Sequence, residues 1–299
     1  MPNHCFVQSR HYFGRLLVCV IAGFLCSHYT IAAASACNTE QYQQYGEKLD
    51  KSQVESVSLM TERYIKITAG VAPSCQSSLF STFRLFYYQA MEAFDDSKDT
   101  LLDQYPLPAR TVSQLNSEMA AIGWVLGESE GTYYIAETGD WMLSRFGKYL
   151  PEDWKLFLRQ REMEISEKFS EDAGLLISWD ELRERIIFWE GFLKKYPGFN
   201  EKATAEYYLS IYLSTYLSGM DNTRIYDFTS NKIDPDLVRS YRTYIENNKS
   251  SKYHGIINAQ YEILKQHGFI YSEDVGTMLS DLHKRHGIET MLGYQPPAY

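Results

Sequence analysis

Apolar side chains in the C-terminal half of the chain recur at the spacing of an α-helix. Leu182, Ile186, Trp189 and Leu193 stand at positions i, i+4, i+7 and i+11, which share one face of a helix. Runs that alternate apolar and polar residues, which would predict strands, are almost absent from the chain. The pattern therefore predicts a mainly α fold.

Helix start and end signals agree with this spacing. In the capping box, a hydroxyl and a side chain three residues later satisfy the free backbone donors of the first turn. Three segments fit it: Ser52 to Glu55, Thr111 to Gln114 and Ser178 to Glu181. Asp234 followed by Pro235 predicts another start, and Gly268 and Gly287, each after cationic residues, predict two ends.

The helices of residues 177–299 are expected to pack as stacked hairpins, in the manner of a solenoid. Residues 196–200 predict the turn of a first hairpin, and residues 247–251 the turn of a second. The 34-residue period of tetratricopeptide repeats is missing. We therefore expect a helical region at 37–176 and a helical-hairpin region at 177–299, together forming one continuous globular unit.

One β-favouring segment interrupts the helices near residues 122–137. The runs 123–126 and 132–136 flank the polar stretch 127–131, which predicts a small β-hairpin with a loose five-residue turn. An isolated hairpin is marginally stable in water, so it must pack against helices. The side chains expected to do so are Trp124, Leu126 and Tyr133.

The first 36 residues predict a cleaved secretory signal. They contain Arg10 and Arg15, no acidic residue, an apolar run at 16–25 and a stretch of small residues that ends at Ala36. The apolar run is shorter than the roughly 20 residues that cross a bilayer. We expect cleavage after Ala36, a mature protein in the periplasm or outside the cell, and no membrane span. An uncleaved anchor or a buried N-terminal helix is the alternative.

Two cysteines, Cys37 and Cys75, remain in the mature chain. Disulfides form in oxidising compartments outside the cytoplasm, so an exported protein with two thiols is expected to join them. A second interpretation takes residues 34–37 as a lipoprotein cleavage box, which would make Cys37 a lipid attachment site.

The charge balance is acidic. The chain has 29 Lys and Arg against 38 Asp and Glu, a formal charge of −9. Without Arg10 and Arg15, the mature chain has 27 basic residues against 38 acidic ones, a net charge of −11. Affinity for nucleic acid comes from clustered cations that release counterions, so we expect no nucleic-acid partner.

Two residues in the polar turn of the hairpin are candidates for catalysis. Residues 127–131 read Gly-Glu-Ser-Glu-Gly, which matches G-x-S-x-G, the turn that presents the nucleophile Ser129 in some hydrolases. That turn requires a helix directly after it, whereas β-favouring residues follow here. Glu128 is a second candidate, as the acid of a peptidoglycan-cleaving enzyme. We expect an ordinary hairpin turn at this place.

The sequence predicts no metal site and no cofactor. H-E-x-x-H and paired C-x-x-C motifs, the common zinc signatures, do not occur in it. Oxygen-bearing side chains surround the loop from Gly219 to Ile233 and leave calcium open, although their spacing is not that of a calcium-binding loop. The oxygen-bearing side chains in and after it are Asp221, Asn222, Asp227, Asp234 and Asp236.

Tyrosine is frequent, with 24 residues in the whole chain. Tyrosine is favoured at protein interfaces because it combines a rigid ring with a hydrogen-bonding tip. The predicted binding residues are Tyr207, Tyr208, Tyr212, Tyr216, Tyr241 and Tyr244. The alternative is that these rings fill the edge of the core.

The leading hypothesis is an exported, non-enzymatic helical protein that binds another protein, as an envelope scaffold or as an immunity-type factor that masks a toxin. The alternative is an envelope hydrolase that uses Ser129 or Glu128.

Overall fold

The computed structural model describes residues 37–288, and the predicted signal segment lies outside these residues. The fold is mainly α, as the sequence predicts. The helices are α1 (Thr39–Gly46), α2 (Val54–Ile67), α3 (Pro73–Leu102), α4 (Ala109–Met119), α5 (Trp141–Phe146), α6 (Glu152–Ser166), α7 (Trp179–Lys195), α8 (Lys202–Ser218), α9 (Pro235–Asn247), α10 (His254–Gln266) and α11 (Glu273–Arg285). The strands are β1 (Trp124–Ser129), β2 (Thr132–Glu137), β3 (Ser170–Glu171) and β4 (Gly174–Leu175).

Strands β1 and β2 form the predicted hairpin, but its turn is tighter than expected. The strands pair antiparallel from Trp124 opposite Glu137 to Ser129 opposite Thr132. Only Glu130 and Gly131 remain in the turn, with φ of 52° and 79°. Two central residues with positive φ match the right-handed twist of the strands. The expectation of a five-residue turn is therefore wrong, because the pairing continues through Ser129.

The hairpin packs on α3 through an aromatic contact. The Trp124 ring is buried, and its centroid lies 5.6 Å from that of Tyr87 and 5.5 Å from that of Phe94. Leu126 and Tyr133 are partly buried against the same core. The three side chains that the sequence singled out therefore do anchor the hairpin.

The cap at Ser178 is a complete capping box. Its hydroxyl accepts a hydrogen bond from the Glu181 backbone at 3.1 Å, and the Glu181 carboxylate accepts one from the Ser178 backbone at 2.7 Å. The Ser178 backbone and hydroxyl both donate to the Glu181 carboxylate, and these two bonds lower its pKa. Asp234 caps α9 and Pro235 opens it, also as predicted.

The other two capping boxes are absent. Helix α2 has Gln53 as its N-cap, because Ser52 instead donates its hydroxyl to Asp50. Helix α4 begins directly after Pro108, so Thr111 lies inside its first turn. When a capping sequence lies within a turn or a helix that neighbouring residues already form, it does not determine where the helix begins.

The C-terminal helices form the pairs that the sequence indicates. Helices α7 and α8 pack together across residues 196–201, and α9 and α10 pack across residues 248–253. A long irregular loop, 219–234, separates the two pairs. Regular solenoid-like stacking of the pairs stays a prediction.

Cys37 and Cys75 form a disulfide, with their Cα atoms 5.3 Å apart. This bond ties the segment before α1 to the first turn of α3. Lipid attachment at Cys37 requires the same sulfur, so it is incompatible with the arrangement in this structure. Within the described residues, no helix is long and apolar enough to span a membrane.

The disulfide gives a direct prediction. Intact mass after alkylation without reduction should show no label on Cys75 of the mature protein, because its sulfur is bonded. Alkylation after reduction and unfolding should label both Cys37 and Cys75. Labelling of Cys75 in the unreduced, unfolded protein would contradict the pairing.

Candidate functional site

Ser129 and Glu128 lie at the end of β1, beside the tight turn of the hairpin. The chain then returns antiparallel in β2 instead of entering a helix, so the geometry of a nucleophile elbow is missing. Glu128 is exposed, and it accepts a hydrogen bond from the Tyr105 hydroxyl at 3.4 Å. It lacks the apolar cleft that keeps a catalytic acid protonated.

A nucleophilic Ser129 would need a histidine as its base, but three histidines that follow it in the sequence form hydrogen bonds among the C-terminal helices. His254 bonds to the Ile245 carbonyl, His267 to the Ile263 carbonyl and His283 to Gln260 Oε1. His283 is buried, and burial lowers its pKa, so it is not the exposed helix-end cation that its position suggests. Within the described residues, no hydrogen bond joins a histidine to Ser129.

The predicted tyrosine set divides into two groups. Tyr212, Tyr216, Tyr241 and Tyr244 are buried, and burial raises the pKa of each of them. The Tyr241 hydroxyl donates to the Tyr216 carbonyl at 2.6 Å. Tyr216, Tyr241 and Tyr244 join α8 to α9 inside the core, and Tyr212 packs against Phe169 with the ring centroids 5.2 Å apart. The expectation that these four side chains line a binding surface is therefore wrong.

Tyr207 and Tyr208 are half-buried on α8. The Arg161 guanidinium lies 4.0 Å from the centroid of the Tyr208 ring. The abundance of tyrosine in the sequence could not tell the rings that pack between helices from those that stay partly exposed.

A buried charge network lies where α6 meets α7. The Glu164 carboxylate accepts hydrogen bonds from Gln160 at 2.8 Å, Arg161 at 2.8 Å and the Trp189 indole at 2.7 Å. Three donors on one buried carboxylate leave little capacity for a substrate. The network therefore holds α6 against α7, although its residue types also occur in catalytic sites.

A second buried ion pair joins α3 to the start of α8. Arg84 and Glu201 approach to 3.1 Å, and Arg84 also donates to the Tyr88 hydroxyl at 3.0 Å. Tyr88 in turn donates to Glu137 at the end of β2 at 3.1 Å. Burial raises the pKa of Glu201, and Arg84 opposes that shift.

Three of the four carboxylates around the loop considered for calcium form local hydrogen bonds or ion pairs. Asp227 accepts from the backbone and hydroxyl of Ser230, both at 2.7 Å, and these bonds lower its pKa. Asp234 caps α9, and Asp236 pairs with Arg239. In the described part of the chain, no group of three or more His, Cys, Asp or Glu side chains is arranged to hold a metal ion.

The same loop carries Phe228, the most exposed large hydrophobic side chain among the described residues. We call it the aromatic loop and define it as residues 219–234 together with Ile270 and Tyr271. Buried Ile225 and Ile233 anchor it to the core. Gly219, with φ of 74°, starts it, and a Cβ at this position would come within 2.8 Å of the Thr223 carbonyl.

Backbone hydrogen bonds fix the aromatic loop on two sides. Asn222 donates its backbone N–H to Ala173 in the β3–β4 turn at 2.9 Å. Tyr271 donates to Asn231 at 2.7 Å, and Ile233 donates to Phe269 at 2.9 Å. The loop is therefore braced by both the β3–β4 hairpin and the segment before α11.

Three aromatic rings and the guanidinium of Arg224 lie along this loop. The rings of Tyr226 and Tyr271 stack with centroids 3.9 Å apart and an interplanar angle of 8°. The Arg224 guanidinium donates to the Tyr226 hydroxyl at 3.1 Å and lies 5.2 Å from the centroid of the Phe228 ring. Phe228 is 75% exposed.

An open depression of about 850 Å³ lies against these side chains, with Arg224, Tyr226 and Phe228 on its wall together with Asp227 and Lys232. Arg224 forms no ion pair with any described residue. Sequence reasoning from the carboxylates of this loop missed its aromatic surface. Its signal was the run Arg-Ile-Tyr-Asp-Phe at 224–228, in which the first, third and fifth side chains share one face of an extended segment.

Comparisons of the chain with family models, with curated proteins and with solved structures found no match. The chemistry of the aromatic loop is therefore the basis of the functional proposal.

Proposed function

We propose that this is an exported protein, located in the periplasm or outside the cell, that binds another protein through the aromatic loop. The observation that carries the proposal is Phe228, a large ring that is 75% exposed on a braced loop. Single exposed apolar residues are common, but here Arg224, Tyr226, Ile270 and Tyr271 accompany it. The disulfide between Cys37 and Cys75 supports an oxidising compartment.

The residue types agree with a binding surface. Tyrosine, phenylalanine and arginine are enriched at protein interfaces, and tyrosine and arginine are frequent among the residues that dominate binding energy. The backbone bonds described above fix the loop that carries the rings before binding, which reduces the entropy that association costs. The complementary partner would offer an apolar recess for Phe228 and a carboxylate for Arg224. An envelope scaffold and an immunity-type factor would both use such a surface.

The test compares partner capture by variants of the mature protein. Phe228→Ala and Arg224→Ala should each weaken capture of the same envelope protein about 30-fold or more, the effect of removing a dominant interface residue. The thermal midpoint should change little in Phe228→Ala, because most of the ring is exposed in the free protein.

Leu59→Ala is the matched control, since Leu59 is an exposed apolar residue on α2, away from the aromatic loop. Capture that persists in Phe228→Ala, or that falls equally in Leu59→Ala, would contradict the proposal.

A further inference from the structure

A second concave site lies at the other end of the described chain, between α1, α2 and α3. It is a cavity of about 320 Å³, near the lower limit of small-molecule sites. One wall is apolar, formed by Ile67, Val71, Leu79 and the disulfide sulfur of Cys75. The remaining lining comes from Asn38, Gln41, Tyr42 and Arg63.

Arg63 is the only charged side chain in this lining. Among the described residues, no carboxylate lies within ion-pair distance of its guanidinium. The guanidinium carbon lies 5.7 Å from the centroid of the Tyr45 ring. A cation–π contact with a ring leaves the N–H groups of a guanidinium able to donate to other partners.

The Nε atom of Arg63 is shielded from solvent, and within the described residues it has no hydrogen-bond partner. That atom is out of a ligand's reach. The two terminal Nη groups of Arg63 form no hydrogen bond with any described residue and are not shielded in this way, so they would donate to a ligand's acceptor. A planar guanidinium matches a carboxylate best, because its parallel N–H groups can bond to both oxygens.

Most of the neighbouring polar groups already form hydrogen bonds. The Tyr42 hydroxyl donates to the Met60 carbonyl at 2.8 Å, and Asn38 and Gln41 bond to each other at 3.1 Å. The cavity thus combines one unmatched cation with an apolar wall. We propose that it binds a small organic monocarboxylate, with the carboxylate on Arg63 and a short hydrocarbon body against Ile67, Val71 and Leu79.

Isothermal titration with hexanoate tests this site in the mature protein. Hexanoate should bind with one-to-one stoichiometry, whereas hexylammonium, with a similar body and the opposite charge, should not. Arg63→Gln should weaken hexanoate binding at least about tenfold, since it removes a charge-assisted pair. Lys66→Gln removes an exposed cation from the same helix, outside the cavity lining, and should leave the affinity unchanged.

Two further measurements keep the test decisive if Arg63→Gln folds poorly. Arg63→Lys retains the charge without the planar fork and should bind hexanoate with intermediate affinity. In the unchanged protein, the hexanoate methyl should show nuclear Overhauser contacts to Ile67, Val71 and Leu79. The proposal is wrong if hexanoate does not bind, if hexylammonium binds equally well, or if the contacts fall on other residues. Because the cavity is separate from the aromatic loop, Phe228→Ala should bind hexanoate normally whatever the outcome of partner capture.

Discussion

Replacement of Trp189 by alanine is expected to lower the free energy of unfolding by about 3 to 5 kcal/mol, as for other large core residues. The ring is fully buried, with its centroid 5.5 Å from that of Phe157, 5.7 Å from that of Phe192 and 5.4 Å from that of Tyr208. The substitution therefore opens a cavity where α6, α7 and α8 meet. Urea unfolding followed by circular dichroism measures the loss.

Trp189→Phe separates the two roles of this side chain. It keeps most of the apolar volume and removes the indole N–H that donates to Glu164. We expect a smaller loss of about 1 to 3 kcal/mol, because one bond to a buried carboxylate disappears. A loss below about 1 kcal/mol in Trp189→Ala would mean that this helical face is not a core face.

Arg84→Met is expected to destabilise the protein by about 3 to 5 kcal/mol at neutral pH, because it leaves the buried Glu201 carboxylate without its cation. The Arg84 side chain is 2% exposed and that of Glu201 is 14% exposed, so water compensates little. In the double variant Arg84→Met with Glu201→Gln, no charge is left unpaired. This double variant should recover most of the lost stability, and unfolding of Arg84→Met, Glu201→Gln and the double variant in urea measures the coupling.

The loss in Arg84→Met should depend on pH in a defined direction. Burial raises the pKa of Glu201 in the folded state, and removal of Arg84 takes away the opposing attraction. A folded-state pKa above the unfolded one favours folding at acid pH, and this contribution is lost as the pH rises through the folded value. Arg84→Met should therefore lose less stability at acid pH than at neutral pH. An equal loss at both would contradict a buried, unpaired Glu201.

The sequence predicted those parts of the fold that local rules determine. Apolar spacing and the cap at Ser178 place α7 correctly, and the glycine at 268 has the positive φ expected at a helix end. The tight turn at Glu130 and Gly131 was missed because strand pairing extended farther than β propensity suggested. Propensity is local, whereas pairing depends on the partner strand.

Buried charges were the main feature that the sequence analysis missed. Arg84 lies four residues after Phe80 and three before Tyr87, so it occupies the apolar face of α3. This position on an apolar helix face could have indicated from the sequence that Arg84 is buried. Its partner Glu201 lies 117 positions away in the sequence, and no local pattern connects the two. The prediction of a tyrosine-lined binding surface was wrong for a related reason, because burial depends on which helix packs against each face.

The most direct test of the central claim is photo-crosslinking from the aromatic loop in cells that produce the protein. A benzophenone amino acid replaces Phe228 in one variant and Leu59 in a second. The account predicts one dominant protein adduct from position 228, located outside the cytoplasm, that is absent from position 59 and is lost when Arg224→Ala is added. No adduct from position 228, or the same adducts from both positions, would contradict a binding function for the aromatic loop.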